Sequence, residues 1–266
     1  MTKILVCNPE YFQISYEINP WMKLENQSNK DLAKIQWNGL VEKLKQAGAE
    51  VVEMKGEPNL PDLVFTANAG LVLPNKKVIL AKFKCPERQP ERYFYNKWFS
   101  ENGYEIIEDP YPQHTSWEGA GDTLYQDDVL FLGSGFRSDY LAVYNRNWWN
   151  IWGKTCFYMN LQDPYFYHLD TCFCPLPNKY ALIYPSAFNK PMLESLSKTI
   201  KLLKVCEEEA KKFACNAVCI EKTVIIPSGC PQTKSLLNEA GFEVLETDMS
   251  EFLKSGGGPK CATLKV

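Results

Sequence analysis

Histidine is nearly absent from this chain, with His114 and His168 the only two among 266 residues. Cys172 and Cys174 are separated by one residue, whereas zinc knuckles prefer two or more, and no second Cys/His pair has matching spacing. No metal is therefore expected. An excess of basic charge is also missing. Lys and Arg number 29 against 32 Asp and Glu, for a net charge of −3 and a pI near 5.6, which excludes the electrostatic footprint of a nucleic-acid partner. No apolar run approaches the roughly 20 residues of a membrane helix, so no membrane partner is expected. The opening apolar stretch is too short for a signal peptide. No low-complexity linker divides the sequence, and the expectation is one domain over 1–266. Cysteine, by contrast, is plentiful at ten residues. With nothing pointing to secretion, these read as reduced thiols of a cytoplasmic protein rather than a disulfide framework.

What is present is a large apolar fraction, 45% hydrophobic and 13% aromatic, enough for a sizeable core. Five short polar motifs also recur: Thr66-Ala67-Asn68-Ala69, Glu118-Gly119-Ala120-Gly121-Asp122, His168-Leu169-Asp170-Thr171, Cys215-Asn216-Ala217 and Gly257-Gly258-Pro259-Lys260-Cys261. Positions 68, 118, 168, 216 and 261 are separated by 50, 50, 48 and 45 residues. Such a period predicts a repeated supersecondary unit. Units around a closed ring would bring the five loops to one point, where a thiol, an imidazole and carboxylates would meet. That is the composition of a nucleophilic hydrolase or transferase site.

Residue patterns predict strands at 4–7, 51–54, 63–65, 78–81, 105–107, 129–133, 155–159, 180–184, 200–205, 217–220, 223–226, 243–245 and 262–266. Helices are predicted at 30–47, 91–102, 191–198, 206–213, 231–240 and 250–254. Leu32, Ile35, Leu40, Val41 and Leu44 supply the apolar spacing of the first helix. Residues 9–21 read as a loop over a site, and 141–152, rich in Trp, has no clear periodicity. Cys172 and Cys174 read as small buried residues in or beside a strand. The alternation is that of a mixed α/β domain.

These motifs resemble the guanidine-modifying (amidinotransferase, or pentein) superfamily across essentially the whole chain. Its arginine deiminases carry Phe-Thr-Arg-Asp, Glu-Gly-Gly-Asp, His-Leu-Asp-Thr and a cysteine after a glycine-rich loop; the matching segments here begin at Phe65, Glu118, His168 and Gly256. Within the superfamily, Asp62–Leu73, the segment Ile18-Asn19-Pro20-Trp21-Met22 and the run Tyr167–Pro175 are most similar to arginine dihydrolases, known as N-terminal domains of cyanobacterial enzymes. The resemblance implies a five-bladed α/β-propeller with pseudo-fivefold symmetry. It also implies hydrolysis of L-arginine to L-ornithine, carbon dioxide and two ammonia, without a cofactor.

The roles it implies suit the residue chemistry. Cys261 is the expected nucleophile, and a free thiol with a pKa of about 8.5 needs help to ionise near neutrality. His168 is the expected general acid and base, because imidazole titrates at about 6.5. Glu118 would orient His168. Asp170, two residues on and placed on the same face of an expected strand, would grip the guanidinium. Arg88 and Arg137 are candidates for the α-carboxylate, with Asn19 at the amino-acid end; Asp122 could cap its turn, and His114 reads as surface. Asn68 stands where deiminases carry Asp. An amide can accept or donate, so it could hold both guanidinium and ureido groups and allow a second attack. The alternatives are a deiminase or dimethylargininase stopping at citrulline, an amidinotransferase, and a propeller that only binds a ribosome. A small-molecule partner is expected, and a homo-oligomer is possible.

Overall fold

The computed structural model describes residues 1–109, 111–144 and 155–266. The first unit pairs β1 (Lys3–Cys7) with β2 (Glu50–Met54), linked by helix α1 (Lys30–Gln46). The second contains β3 (Gly70–Leu73), β4 (Lys77–Leu80), α2 (Glu91–Glu101) and β5 (Glu105–Ile107). The third has β6 (Thr123–Gln126), β7 (Val129–Ser134), the short α3 (Tyr140–Val143) and β8 (Thr155–Asn160). In the fourth, β9 (Phe173–Leu176) and β10 (Tyr180–Ile183) precede α4 (Lys190–Ser197) and β11 (Lys201–Lys204). After α5 (Glu207–Ala210) come β12 (Val218–Ile220), β13 (Thr223–Pro227), α6 (Pro231–Glu239) and β14 (Glu243–Thr247). Helix α7 (Ser250–Leu253) and β15 (Leu264–Lys265) end the chain.

One plan underlies all five sheets. An inner strand lies antiparallel to a middle strand, which pairs in parallel with an outer strand reached through a helix. In the first sheet the inner strand comes from the far end of the chain: β15 pairs antiparallel with β1 at Leu5↔Leu264. The hairpins of the second and fourth units reuse one turn, Pro74-Asn75-Lys76 and Pro177-Asn178-Lys179, with positive φ at each Asn and Lys. Asn tolerates that left-handed geometry because its short amide bonds locally. The five sheets surround a shared central cavity of about 380 Å³, lined by Ile4, Leu71, Thr123, Phe173, Val218 and Leu264 among others. This is the expected α/β fold of five repeated units. No helix among the described residues is long and apolar enough to cross a membrane.

Helix α1 shows how the sequence writes one unit. The Asn29 side chain accepts a hydrogen bond from Leu32 N and caps the start, and Gly48, at φ +90°, follows the end. Ala33, Trp37, Leu40 and Leu44 are buried, a spacing of four, three and four that forms one stripe against the sheet. Leu32 and Ile35 lie outside that stripe and are exposed, contrary to the sequence reading. Replacing Leu40 by Ala would leave a cavity costing about 2–5 kcal/mol.

Other expectations need correction. Residues 63–65 are not a strand: Pro61–Val64 forms a 3-10 turn, with Pro61 at its start and Phe65 N bonding back to Asp62 O. Strands β3, β6 and β9 are absent from the predicted strands; each is only four residues long and is entered from a polar 3-10 turn, which hides the alternation. The helix expected over 206–213 shrinks to α5, because Phe213 takes a left-handed φ of 61° and ends it. Of the unassigned 141–152, residues 145–152 lie outside the described residues, and 140–143 form α3.

The repeat explains where the motifs sit. Thr66–Ala69, Gly119–Gly121 and Leu169–Thr171 are 3-10 turns that lead directly into β3, β6 and β9. The segments 215–217 and 257–261 hold the equivalent places before β12 and β15. All five polar turns therefore occupy corresponding positions of the five units.

Candidate active site

The glycines before Cys261 permit close packing at the fifth turn. A Cβ on Gly257 would lie 2.1 Å from the Phe65 ring, and one on Gly258 would lie 2.8 Å from Asn216 Oδ1. Neither position accepts a side chain without displacing a neighbour. Asn216 then fixes the cysteine segment. Its Oδ1 accepts from Lys260 N at 3.0 Å and Cys261 N at 3.1 Å, while its Nδ2 donates to Asp170 O at 2.9 Å and to Cys261 Sγ at 3.1 Å.

Cys261 Sγ lies 3.7 and 3.8 Å from the two oxygens of Asp170. Burial, followed by the Asp170 charge, pushes the thiol well above its ordinary range. Asp170 is itself raised to about 7 by burial, with Lys260 and the hydrogen bonds from Cys261 and Asn216 opposing that rise. The structure corrects the reason given for its placement. His168 and Asp170 do not alternate along a strand; Leu169–Thr171 is a 3-10 turn, tightened by Thr171 Oγ1 on His168 O at 2.7 Å. His168 is thereby joined to Glu118 and Asp170 to Cys261.

Glu118 carries a different set of partners. Oε2 receives His168 Nε2 at 2.8 Å and an Arg137 N–H at 3.2 Å, and Oε1 accepts from Lys84 N at 3.1 Å. Burial works to raise this carboxyl, but Arg137, the His168 hydrogen bond and charge, and Arg88 outweigh it and hold it far below the usual range. Asp122 also faces His168, with Oδ2 3.9 Å from Nε2. Asp122 does more than cap a turn, accepting from Ser138 Oγ at 2.7 Å and Leu169 N at 2.9 Å, and burial raises it to about 6.

Arg88 and Arg137 are both buried and paired rather than solvated. Arg88 binds both oxygens of Glu91 at 2.8 Å, Asp62 O at 3.1 Å and Asn68 Oδ1 at 2.8 Å. Arg137 stacks 4.9 Å over the Tyr167 ring and donates to Ile18 O at 3.0 Å. Asn68 is held from both sides, since its Nδ2 also donates to Glu118 O at 3.1 Å. Asn19 ties the 9–21 loop down: Nδ2 donates to Ser255 O at 3.0 Å, and Oδ1 accepts from Trp21 N at 2.9 Å. Tyr167 adds a 2.6 Å bond from its hydroxyl to Gly256 O. His114 is exposed, and Cys172 and Cys174 are buried around the start of β9.

Three residues at this site had no role assigned from sequence. Asn216 lay in a flagged motif, and its place at the repeat period was the available signal. Asp62 lies within the run matched to the dihydrolases; its Oδ1 is buried without a hydrogen-bond partner. Lys260 was legible only as the neighbour of Cys261. Among the described residues no group of three or more His, Cys, Asp or Glu could hold a metal ion.

The chain is 42% identical over 99% of its length to the bifunctional arginine dihydrolase/ornithine cyclodeaminase AgrE of a Nostoc species, and 41% identical over 99% to its counterpart ArgZ of a Synechocystis species. It spans 38% and 37% of the lengths of those two proteins. The N-terminal domain of ArgZ, solved as an asparagine-to-serine variant covalently bonded to a reaction intermediate, superimposes with a TM-score of 0.93 at 40% identity, covering 100% of this chain and 98% of that one. The family model described as "N,N dimethylarginine dimethylhydrolase, eukaryotic" matches residues 6–266, and the chain belongs to that family.

Proposed function

We propose that this chain is an arginine dihydrolase, converting L-arginine and two waters to L-ornithine, carbon dioxide and two ammonia. One observation carries the reading: both oxygens of Asp170 lie within 3.8 Å of Cys261 Sγ. A guanidinium gripped by that carboxylate presents its central carbon to the sulfur. The free enzyme holds a neutral thiol, because burial and Asp170 both oppose the thiolate. The incoming cation supplies the missing positive charge, so the thiol ionises once substrate is bound.

The first half-reaction forms a bond from Sγ to the guanidino carbon. A terminal C–N bond then breaks, with His168 donating the proton that lets ammonia leave. Glu118, ionised and 2.8 Å from Nε2, holds the imidazole and its positive charge. Water deprotonated by His168 then attacks the thiouronium carbon, the C–S bond breaks, and a ureido group remains. In the second half-reaction the thiol attacks that ureido carbon, a second ammonia leaves, and water releases a carbamate that divides into carbon dioxide and ornithine.

Asn68 is the residue that favours a second round. Arg88 fixes its oxygen, leaving a further lone pair for a guanidinium N–H, while its Nδ2 keeps one N–H for a ureido oxygen. Arg137 retains N–H groups for the α-carboxylate beyond those used on Glu118 and Ile18. Arg88 has fewer to give, and Asn19 shapes the loop near the amino-acid end. The open oxygen of Asp62 suits the α-ammonium group. The likeness to AgrE and ArgZ supports arginine as the substrate.

The family match to dimethylarginine hydrolases supports a second reading, in which methylated arginine gives citrulline and dimethylamine. Incubation with arginine carrying ¹³C at the guanidino carbon separates the two by NMR. The dihydrolase predicts labelled carbon dioxide and unlabelled ornithine, with two ammonia per arginine consumed. Labelled citrulline as the end product makes the enzyme a deiminase, and turnover of dimethylarginine alone supports the second reading.

A further inference from the structure

Lys260 immediately precedes Cys261, and its side chain lines the central cavity bounded by the five inner strands. Its Nζ donates to Ala120 O at 3.3 Å, within the turn between Glu118 and Asp122. One oxygen, Asn216 Oδ1, holds the backbone N–H groups of both Lys260 and Cys261. That clamp fixes the two backbones relative to each other, and the Ala120 carbonyl holds the ammonium. As the residue next to Cys261, Lys260 brings a cation from the cavity side close to the thiol and to Asp170, which lies 3.7 Å from Sγ, whereas Glu118 has Arg137 at 3.2 Å.

We propose that Lys260 is a positioning residue for the reaction: its ammonium, held in the central cavity, is the counter-charge that keeps Asp170 ionised beneath the guanidinium and steadies negative charge on the sulfur. The inference rests on the arginine-hydrolase reading of the Cys261 site. The groups facing the pair are Lys260 from the segment before β15, Tyr167 from the turn before His168, Cys172 and Cys174 from the start of β9, and Asn216 before β12. Asp127 and Lys265 also line the cavity. Lys260 by its charge and Asn216 by its hydrogen bonds both act to lower Asp170 and Cys261, against the burial that raises them. A unit charge within about 10 Å, at an effective dielectric near 20, moves a partner's titration by on the order of one pH unit.

Three variants separate charge from packing. Lys260→Met keeps the stem and removes the charge, Lys260→Arg keeps the charge, and Lys260→Ala opens space next to a cavity of about 380 Å³. For wild type and each variant, kcat/KM for arginine is measured from pH 5.5 to 9.5, with thermal melts to monitor folding. Lys260→Met is expected to lower kcat/KM at pH 7 by about tenfold and move the acid-side midpoint up by about one unit, the deficit shrinking as pH rises. Lys260→Arg should stay within about threefold of wild type, and ethylammonium should partly restore Lys260→Ala but not Lys260→Met. An unchanged pH profile in Lys260→Met, or equal impairment of all three variants without amine rescue, overturns the proposal. If wild type leaves arginine untouched, the functional reading fails by itself. Lys260 is then judged by the rate of iodoacetamide alkylation at Cys261, followed by peptide mass spectrometry. A several-fold slower reaction in Lys260→Met supports the counter-charge, and an equal rate refutes it.

Discussion

Glu118 and Asp170 are two carboxylates in equivalent turns of neighbouring units, and both are shut away from solvent, at 0% and 1% exposure. Their charge states nonetheless diverge. Glu118 has Arg137 at 3.2 Å and His168 at 2.8 Å, and it stays ionised far below the usual range despite burial. Asp170 has a thiol at 3.7 Å as its side-chain neighbour and a more remote cation in Lys260, and burial raises it to about 7. Equal burial does not produce equal protonation; the partners decide it. One carboxylate is a permanent anion that can hold an imidazolium. In the proposed reaction the other becomes an anion when a guanidinium arrives, a division of acid, base and binding work between neighbouring groups.

The comparison can be broken most severely at the sulfur that Asp170 addresses. Cys261→Ser should lower arginine turnover by about 10³-fold or more while the melting temperature stays close to wild type, as a hydroxyl is a far weaker nucleophile than a thiol. Glu118→Gln should come next. It leaves Arg137 buried without its counter-charge, so denaturant titration should show a loss of about 3–5 kcal/mol together with a large fall in kcat.

Asp170→Asn should behave in the opposite sense for stability. A carboxyl whose folded pKa is raised binds its proton more tightly when folded. Its contribution is therefore favourable at low pH and is lost as pH rises from about 4 through about 7. The variant, neutral throughout, should melt a few degrees above wild type at pH 8 and level with it at pH 4, while binding arginine much more weakly. A variant that is less stable at pH 8 would show that Asp170 is already compensated as well as Glu118. The smallest change in rate is expected from Asn68→Asp, which should instead redirect the product from ornithine towards citrulline. Guanidinium grip is kept through charge-assisted bonds of about 1.5–3 kcal/mol, and the ureido oxygen is repelled. Chromatography of the amino-acid products reads the ratio.

The sequence was most legible where the repeat is strongest. The motif period revealed five units, the helix around Leu40 followed from apolar spacing and the glycine after it, and the helix around Phe99 from the closing Gly103. The inner strands β3, β6 and β9 were hard to read because four residues entered from a polar turn give almost no alternation, as at Gly70–Leu73. Site chemistry was legible as residue types, with Cys261, His168, Glu118 and Asp170 identified as candidates. The pairing of Glu118 with His168 followed from the resemblance, but the contact of Asp170 with Cys261 did not, since it depends on the 3-10 turn at Leu169–Thr171 rather than on a strand face. Arg88 could not be seen as a buried partner of Glu91, because a sequence shows a charge without its burial. The cavity-facing course of Lys260 likewise becomes visible only when the ring is closed.

In the proposed reaction arginine is attacked by one particular thiol among ten cysteines. The most direct test is acid quenching during arginine turnover, followed by peptide mass spectrometry. A transient adduct with the mass of arginine less ammonia is expected, confined to the peptide containing Cys261 and lost in Cys261→Ser. Ammonia release in the first turnover with no adduct there, or an adduct on a different cysteine, would contradict it.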